Sequence, residues 1–487
     1  MFSHTRLFIL FAASSLLALG AGTCDSKNSP SGAGQVKSPT PTPEAVAELR
    51  ETRSAPRVLY HGVHPGSANG DEESVNDLDA YLAEADKPVT FVYVSQELNA
   101  KWLDDTDDRT AFPAEVVRRI REHGAIPFIR LMTRKSDTTN EDINLEDLYT
   151  YDVVAVDPKV TLSPELEATK QKFRRRMLAW AQAAGDRPLF VEWGTEANGK
   201  WFWWNAYWHA DERCRELMRK GRKLDAACQK QLMNGTEKFR LAFQGLRRLV
   251  NVEGKASNVK WAFHVTSGSD PKPKLKDASY DWNSIENYYP GEGCPECVDA
   301  IGVSVYGAQQ RGDGCDDDNS FESQMNRLLK GDESAEHDSL KKIGKSKRIF
   351  VLEFGHTLIS GKDGKPDPKC KPAEWACEAL QAMFDRDKWP DFTIAGFSWW
   401  NESWIEADEK SVTDMRLHHF DLCSLVDEDE AKDVRKVLPC ECWTGSGDAD
   451  KCYALRTKRD DLRTTFRDTL DKYKDFLGTR PEDAFFK

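Results

Sequence analysis

Eight short apolar runs punctuate this chain. They are Val58-Leu59-Tyr60, Val89 to Val94, Ile126 to Leu131, Leu189 to Trp193, Val259 to Val265, Val298 to Val305, Ile349 to Phe354 and Ile394 to Trp400. Rich in β-branched and aromatic residues and not strictly alternating, they have the pattern of strands buried on both faces. Helical signals lie between them. Pro113 can start a helix carrying Val116, Val117 and Ile120, with Gly124 at its end. Ser163-Pro164-Glu165 has the form of a cap and first turn ahead of Phe173, Met177 and Trp180. Thr236-Glu237 opens a segment with Phe239, Phe243, Leu246 and Val250, and Glu374 to Phe384 is helical in composition. Leu455, Leu462, Phe466, Leu470, Tyr473 and Leu477 make an amphipathic C-terminal stripe.

Strands alternating with helices imply parallel βαβ units. The pattern predicts an α/β fold, a (β/α)8 TIM barrel, over residues 56–487. An open doubly wound sheet is the alternative, disfavoured because no Gly-x-Gly-x-x-Gly loop follows the first strand. Two long Cys-containing stretches, 205–235 and 401–452, follow strand ends, so in a barrel they decorate the C-terminal face.

Two glutamates then stand out. Glu196 comes just past the fourth apolar run, and Glu353 lies at the end of the seventh. Both therefore project at the C-terminal rim, where barrel active sites are built. A pair of carboxyl groups is the machinery of glycoside hydrolysis, with about 5–5.5 Å between them for retention and about 6.5–9.5 Å for inversion. One must stay protonated at working pH, and burial against aromatic rings achieves that. Around Glu196 the sequence offers Asn198 for sugar hydroxyls and Trp201, Phe202, Trp203 and Trp204 for stacking, although these four rings cannot all face sugar. Arg130, ending the third strand, is placed to bind hydroxyls or, as the safer expectation, to pair with a carboxylate.

Composition narrows the ligand. The chain has 487 residues, a net charge of −13 and 15 tryptophans, with no basic stripe of the kind that binds nucleic acid. A neutral glycan suits that balance, and neither a cofactor nor a resident metal is expected. Residues 1–24 read as an export signal, with an apolar core from Leu7 to Leu19 followed by small residues. Cleavage there leaves two alternatives: ordinary secretion, or a lipid-anchored cell-surface protein tethered to the membrane through Cys24. Residues 25–55, rich in Ser, Pro, Thr and Gly, read as a disordered tether. A monomer is expected.

Export makes disulfides the preferred reading of the 12 cysteines. Cys214 with Cys228, Cys370 with Cys377, and the group Cys440, Cys442 and Cys452 are close in sequence, but connectivity stays open. Cys294-Pro295-Glu296-Cys297 lacks the second ligand pair of a zinc site. The acidic run Asp313 to Asn319 lacks EF-hand spacing and reads as a solvated loop holding Cys315.

Glu196-Ala197-Asn198-Gly199-Lys200-Trp201-Phe202-Trp203-Trp204 resembles the acid/base segment of family 26 glycoside hydrolases, in clan A, whose best-known members are β-mannanases. In the same order, Val259 to Phe263, Tyr288 to Gly291, Val298 to Val303 with Tyr306, and Glu353-Phe354-Gly355 resemble later segments of that family, so the likeness runs from about residue 58 to 404. The resemblance implies a retaining endo-acting β-glycanase, with Glu353 as nucleophile, Glu196 as acid/base, and β-mannan as leading substrate. It also implies that Tyr306 bonds the nucleophile and that Trp399 or Trp400 floors the sugar site. One departure is clear: the family usually has His before the acid/base residue, and this chain has Thr195. His61, His64 or His264 is then a candidate to fill that space from another strand. Two alternatives stay open, a glycan-binding surface protein without catalysis and another clan A β-glycanase acting on xylan or mixed-linkage glucan.

Overall fold

A computed structural model describes residues 55–66, 72–135, 149–155, 159–272, 278–309, 320–331, 338–358, 370–405, 412–417 and 449–479. All of them belong to the unit Thr40–Lys487. The export signal with Cys24, nearly all of the tether, Cys315 with its acidic run, and Cys440 and Cys442 lie outside the described residues.

The eight apolar runs form eight strands: β1 Tyr60–His64, β2 Phe91–Leu98, β3 Ile126–Thr133, β4 Leu189–Trp193, β5 Val259–Thr266, β6 Ala300–Tyr306, β7 Arg348–Gly355 and β8 Thr393–Trp400. They close in sequence order into one barrel, with β8 pairing in parallel back onto β1. The TIM barrel expectation therefore stands. After β8, β9 (Ser403–Ile405) and β10 (Val412–Asp414) form a small antiparallel sheet.

Period-two alternation divides each strand between two cores. Outward side chains such as Val191, Trp261, Val303 and Phe397 pack under the helices. Inward ones fill the barrel, where Phe91, Phe128, Phe190 and Phe350 meet ring to ring, Phe128 and Phe190 at 4.7 Å. One side-chain layer nearer the C-terminal rim, the inward positions turn polar: Tyr93, Arg130, Glu192, His264 and Ser304. Gly302 lies below Ser304, and a Cβ there would meet Leu352 at 2.5 Å and the His264 ring at 3.1 Å. Against β6, the β7 register slips so that Val303 faces Val351 while Ser304 faces Glu353. The extra residue turns both Leu352 and Glu353 toward the interior.

Helices Ala114–Glu122, Pro164–Ala183 and Pro372–Phe384 cover the segments expected to be helical and bury their apolar residues. Ser163 caps the second of these, accepting from the Leu166 amide at 3.3 Å. The helix expected from Thr236 instead begins at Ala226. Asp225 caps it through the Cys228 amide at 2.9 Å, and the disulfide Cys214–Cys228 ties it to helix Glu212–Arg219. Gly235 lies mid-helix, where Ala206 packs 2.8 Å from the place a side chain would take. Cys294 and Cys297 are joined to each other, and Cys370 and Cys377 are also disulfide-bonded. The C-terminal helix, Ala449–Lys472, buries Leu462, Phe466 and Leu470. Its Arg459 reaches the buried Asp414 carboxylate at 2.6 Å, tying the helix to the segment after β8.

Candidate active site

Glu196 sits three residues past β4, on a turn held under strain. Gly194 has φ of 75° and Glu196 has φ of 48°, the latter in the left-handed region that non-glycine residues seldom adopt. The Phe239 ring excludes any side chain at Gly194, 2.4 Å from where a Cβ would be. The turn is pinned to β5 by the Ala197 amide, which donates to the His264 carbonyl at 3.0 Å. The Trp201 indole donates to Glu196 Oε2 at 2.6 Å, its ring lying across Gly199, where a Cβ would collide at 2.3 Å.

Glu353 enters from β7. Arg130 Nη1 donates to its Oε1 at 3.0 Å, and the Tyr306 hydroxyl donates to its Oε2 at 2.8 Å. Each oxygen therefore has a donor that fixes the carboxylate plane. Arg130 is itself held by Nε to Ser95 Oγ at 2.8 Å and lies over the Trp400 ring at 5.2 Å. Trp400 stacks on His64 with ring centroids 3.9 Å apart.

Beside the pair runs a second polar chain. Glu192 Oε2 faces His264 Nδ1 at 2.8 Å, and His264 Nε2 faces Ser304 Oγ at 2.9 Å. Glu192 Oε1 accepts from the Tyr93 hydroxyl at 2.5 Å and from the Thr195 hydroxyl. Glu192 and His264 are wholly buried, whereas Glu196 and Glu353 keep 8 % and 5 % of their surface, so only the latter two are open to a ligand.

These surroundings set the proton affinities apart. Burial, and then repulsion from Glu353, pushes the Glu196 carboxyl up to about 7, while His264 and the hydrogen bond from Trp201 limit the rise. Burial alone would raise Glu192, but the His264 charge and hydrogen bonds from His264, Thr195 and Tyr93 bring it below the usual carboxylate range. Burial opposes the charged form of His264, yet Glu192, with smaller help from Glu353 and Glu196, raises it above the ordinary histidine value.

Of the expected site residues, Glu196, Glu353, Trp201, Tyr306, Arg130 and Trp400 come together at the rim. Others are engaged elsewhere. Asn198 is buried with its amide bonded to Thr266 O and N and to Ser269 Oγ, bracing the turn instead of facing a ligand. Trp204 is buried and donates to the Thr195 carbonyl at 2.7 Å, and Phe202 and Trp203 are buried with it. Trp399 points outward, bonded to the Met415 carbonyl and packed on Phe354 and Phe466. His61 also points outward, to the Tyr81 hydroxyl at 2.7 Å, and burial lowers it to about 4. His264 does approach Glu196, but both ring nitrogens are occupied within the protein, so it is no direct ligand for sugar.

Glu192, Tyr93 and Ser304 escaped the sequence reading. The available signal was one carboxylate inside Leu189-Phe190-Val191-Glu192-Trp193, a strand read as buried on both faces, where a charge demands a partner. Among the described residues, the groupings with metal-ligand proximity are Asp211 with Cys214 and Cys228, and Glu296 with Cys294 and Cys297, and all four sulfurs are in disulfides.

No protein-family model matches the sequence, and no curated protein matches it. Among solved structures, the chain is similar to the catalytic domain of a GH26 endo-β-1,4-mannanase from Bacillus sp. JAMB-750, with 14 % identity, a TM-score of 0.49, and 90 % of this chain and 91 % of that chain covered. It is also similar to a GH26 β-mannanase from Bacteroides ovatus, at 18 % identity and a TM-score of 0.40, covering 82 % and 94 %. A mannanase from Bacillus subtilis aligns at 13 % identity and a TM-score of 0.42, covering 71 % and 81 %. What the site can do chemically follows from its own residues.

Proposed function

We propose that this chain is a retaining glycoside hydrolase, exported by its N-terminal segment, that cleaves internal β-linkages of a polysaccharide. One observation carries this reading. Two carboxyl groups at the rim, each keeping a little exposed surface, are held by neighbouring donors, Glu353 by Arg130 and Tyr306 and Glu196 by Trp201. A proton donor beside an oriented carboxylate is the equipment of double displacement.

In the first step a Glu353 oxygen attacks the anomeric carbon while Glu196 gives its proton to the departing glycosidic oxygen. The C–O bond breaks and a glycosyl ester forms on Glu353. That ester carries no charge, so the repulsion that raised Glu196 disappears. The newly ionised Glu196 is therefore easier to keep as a carboxylate and serves as base for the incoming water. Water attacks the same carbon, the ester breaks, and configuration is retained. Arg130 and Tyr306 orient Glu353 throughout, and the Trp400 ring and the half-buried Trp201 supply apolar faces for sugar.

β-Mannan is proposed as the substrate because the Glu196–Trp204 and Glu353–Gly355 segments resemble those of family 26 enzymes. The test is release of reducing ends from β-mannan, xylan and mixed-linkage glucan by the purified protein. Release from β-mannan is expected; a folded protein that releases none from any of the three overturns the hydrolase reading.

A further inference from the structure

The backbone of Glu196, at φ of 48°, lies in a region that residues with a Cβ occupy only against a steric penalty. Such a conformation persists where the surrounding structure over-determines it. We propose that Asn283 and Asn205 are positioning residues for Glu196, two buried amides that lock the carbonyls just after it and so keep its carboxyl on the Trp201 indole at the rim. The inference rests on the reading of Glu196 as the acid/base.

Each carbonyl from Thr195 to Asn198 has a donor. The Trp204 indole gives to Thr195 at 2.7 Å, and the Gly199 amide closes the turn on the Glu196 carbonyl at 2.7 Å. Asn205 Nδ2 donates to the Ala197 carbonyl at 3.0 Å. The Asn198 carbonyl accepts from Asn283 Nδ2 and from the Asp270 amide, both at 3.0 Å. Proton counting leaves neither side-chain amide any freedom. Asn205 gives its second N–H to Asn283 Oδ1 at 3.0 Å, and Asn283 gives its second to the Pro271 carbonyl at 2.9 Å. Asn283 Oδ1 also accepts from the Tyr288 hydroxyl at 3.1 Å, and Asn205 Oδ1 accepts from the Tyr207 amide at 3.0 Å. Both side chains are wholly buried. A half-rotation of either amide would strand several buried polar groups, so both orientations are fixed.

The two amides reach the turn from different parts of the chain. Asn205 follows the four-ring segment of the same loop, whereas Asn283 ends the short 3-10 helix Ala278–Asn283 beyond β5, 85 residues from Asn198. The acid is therefore held by the loop after β5 as well as by its own. Asn283 is the keystone of the two. Its removal takes a donor from Asn198 and from Pro271, and it leaves an Asn205 N–H and the Tyr288 hydroxyl without their acceptor, so the grip on Ala197 loosens as well. Buried groups stranded in this way recover partners by rotating the peptides of the turn. That rotation lets Glu196 leave the left-handed region, which re-aims its Cα–Cβ bond and takes the carboxyl off the Trp201 indole. The chemical consequence is selective. A misplaced acid slows departure of a poor leaving group and spares a good one, which needs no proton. Damage to the fold or to sugar binding slows both.

The test compares kcat/KM, which runs from free enzyme to the first transition state, on β-mannan and on dinitrophenyl β-mannobioside. Asn283→Ala is expected to lower it on β-mannan by about 10- to 100-fold, the scale of a small misplacement of a catalytic group, and on the aryl glycoside by less than about threefold. In a Glu196→Gln background the same substitution should change the β-mannan value by less than about threefold, because the group it positions no longer acts as an acid. If Asn283→Ala does not fold, Asn205→Ala, which takes the side-chain donor from the Ala197 carbonyl, carries the same comparison. A folded variant that loses equally on both substrates, loses nothing on β-mannan, or loses as much again in the Glu196→Gln background overturns the brace and leaves the acid/base reading in place. If Glu196→Gln itself loses equally on both substrates, the acid/base reading fails and the brace fails with it, so the two failures are distinct.

Discussion

Glu353→Gln is expected to lower kcat on β-mannan by a factor on the order of 10^4 to 10^6, the scale seen when a covalent nucleophile is removed. The amide has almost the shape of the carboxylate. Its oxygen can still accept from Arg130 and its nitrogen can donate to the Tyr306 oxygen, so folding and KM should change little. What it cannot do is attack the anomeric carbon. Glu192, on β4, cannot substitute, because it is wholly buried and already engaged by Tyr93, Thr195 and His264. Glu353→Ala leaves a gap on the attacking face, and added azide should enter it to give an α-glycosyl azide from an activated β-glycoside. Steady-state kinetics and product analysis check both outcomes; activity of Glu353→Gln within tenfold of the unaltered protein removes the assigned role.

Glu196→Gln is expected to reduce kcat on polysaccharide by about 10^2- to 10^4-fold, the usual contribution of general acid–base catalysis. A substrate with a good leaving group, such as an aryl glycoside, needs no acid in the first step and should be spared there. The pH profile adds a signature. Glu196 acts when protonated, so kcat/KM should hold below a midpoint of about 7 and fall tenfold per unit above it. Glu196→Gln should abolish that alkaline limb. Stability carries a second signature of the same carboxyl. Folded Glu196 holds its proton up to about 7, whereas unfolded it ionises near the ordinary 4.5. Between those values the native state binds more protons, so stability falls as pH rises through this window. At pH 8 the glutamine variant should therefore be more stable, by at most about 3 kcal/mol. Thermal unfolding at pH 4 and pH 8 reads this difference, and an equal melting temperature shift at both values contradicts the assignment.

Much of the barrel was legible because strands buried on both faces leave short apolar runs, and all eight runs became strands. Glu196 and Glu353 were legible for a related reason: a carboxylate at the end of such a run has little purpose except at the rim. The facing of neighbours was harder to read. Trp399 and Trp400 differ by one residue, and only the β8–β1 pairing, Trp400 against the inward His64, decides which faces the interior. His61 and His64 fall on opposite faces of β1 by the same alternation. Asn198 and Trp204 have the chemistry of sugar ligands, but the strained turn that carries Glu196 needs internal donors and uses them. Glu192 was hidden because its partner His264 lies 72 positions away in sequence. The helix expected to open at Thr236 starts ten residues earlier, at Ala226, because Asp225 caps it there.

The double displacement on Glu353 is tested most directly by proton NMR of the first products released from β-mannan, recorded before mutarotation. The new reducing end should appear first as the β-anomer, with the α-anomer growing in later. Appearance of the α-anomer first means that water attacked the polysaccharide directly, and Glu353 is then not the nucleophile.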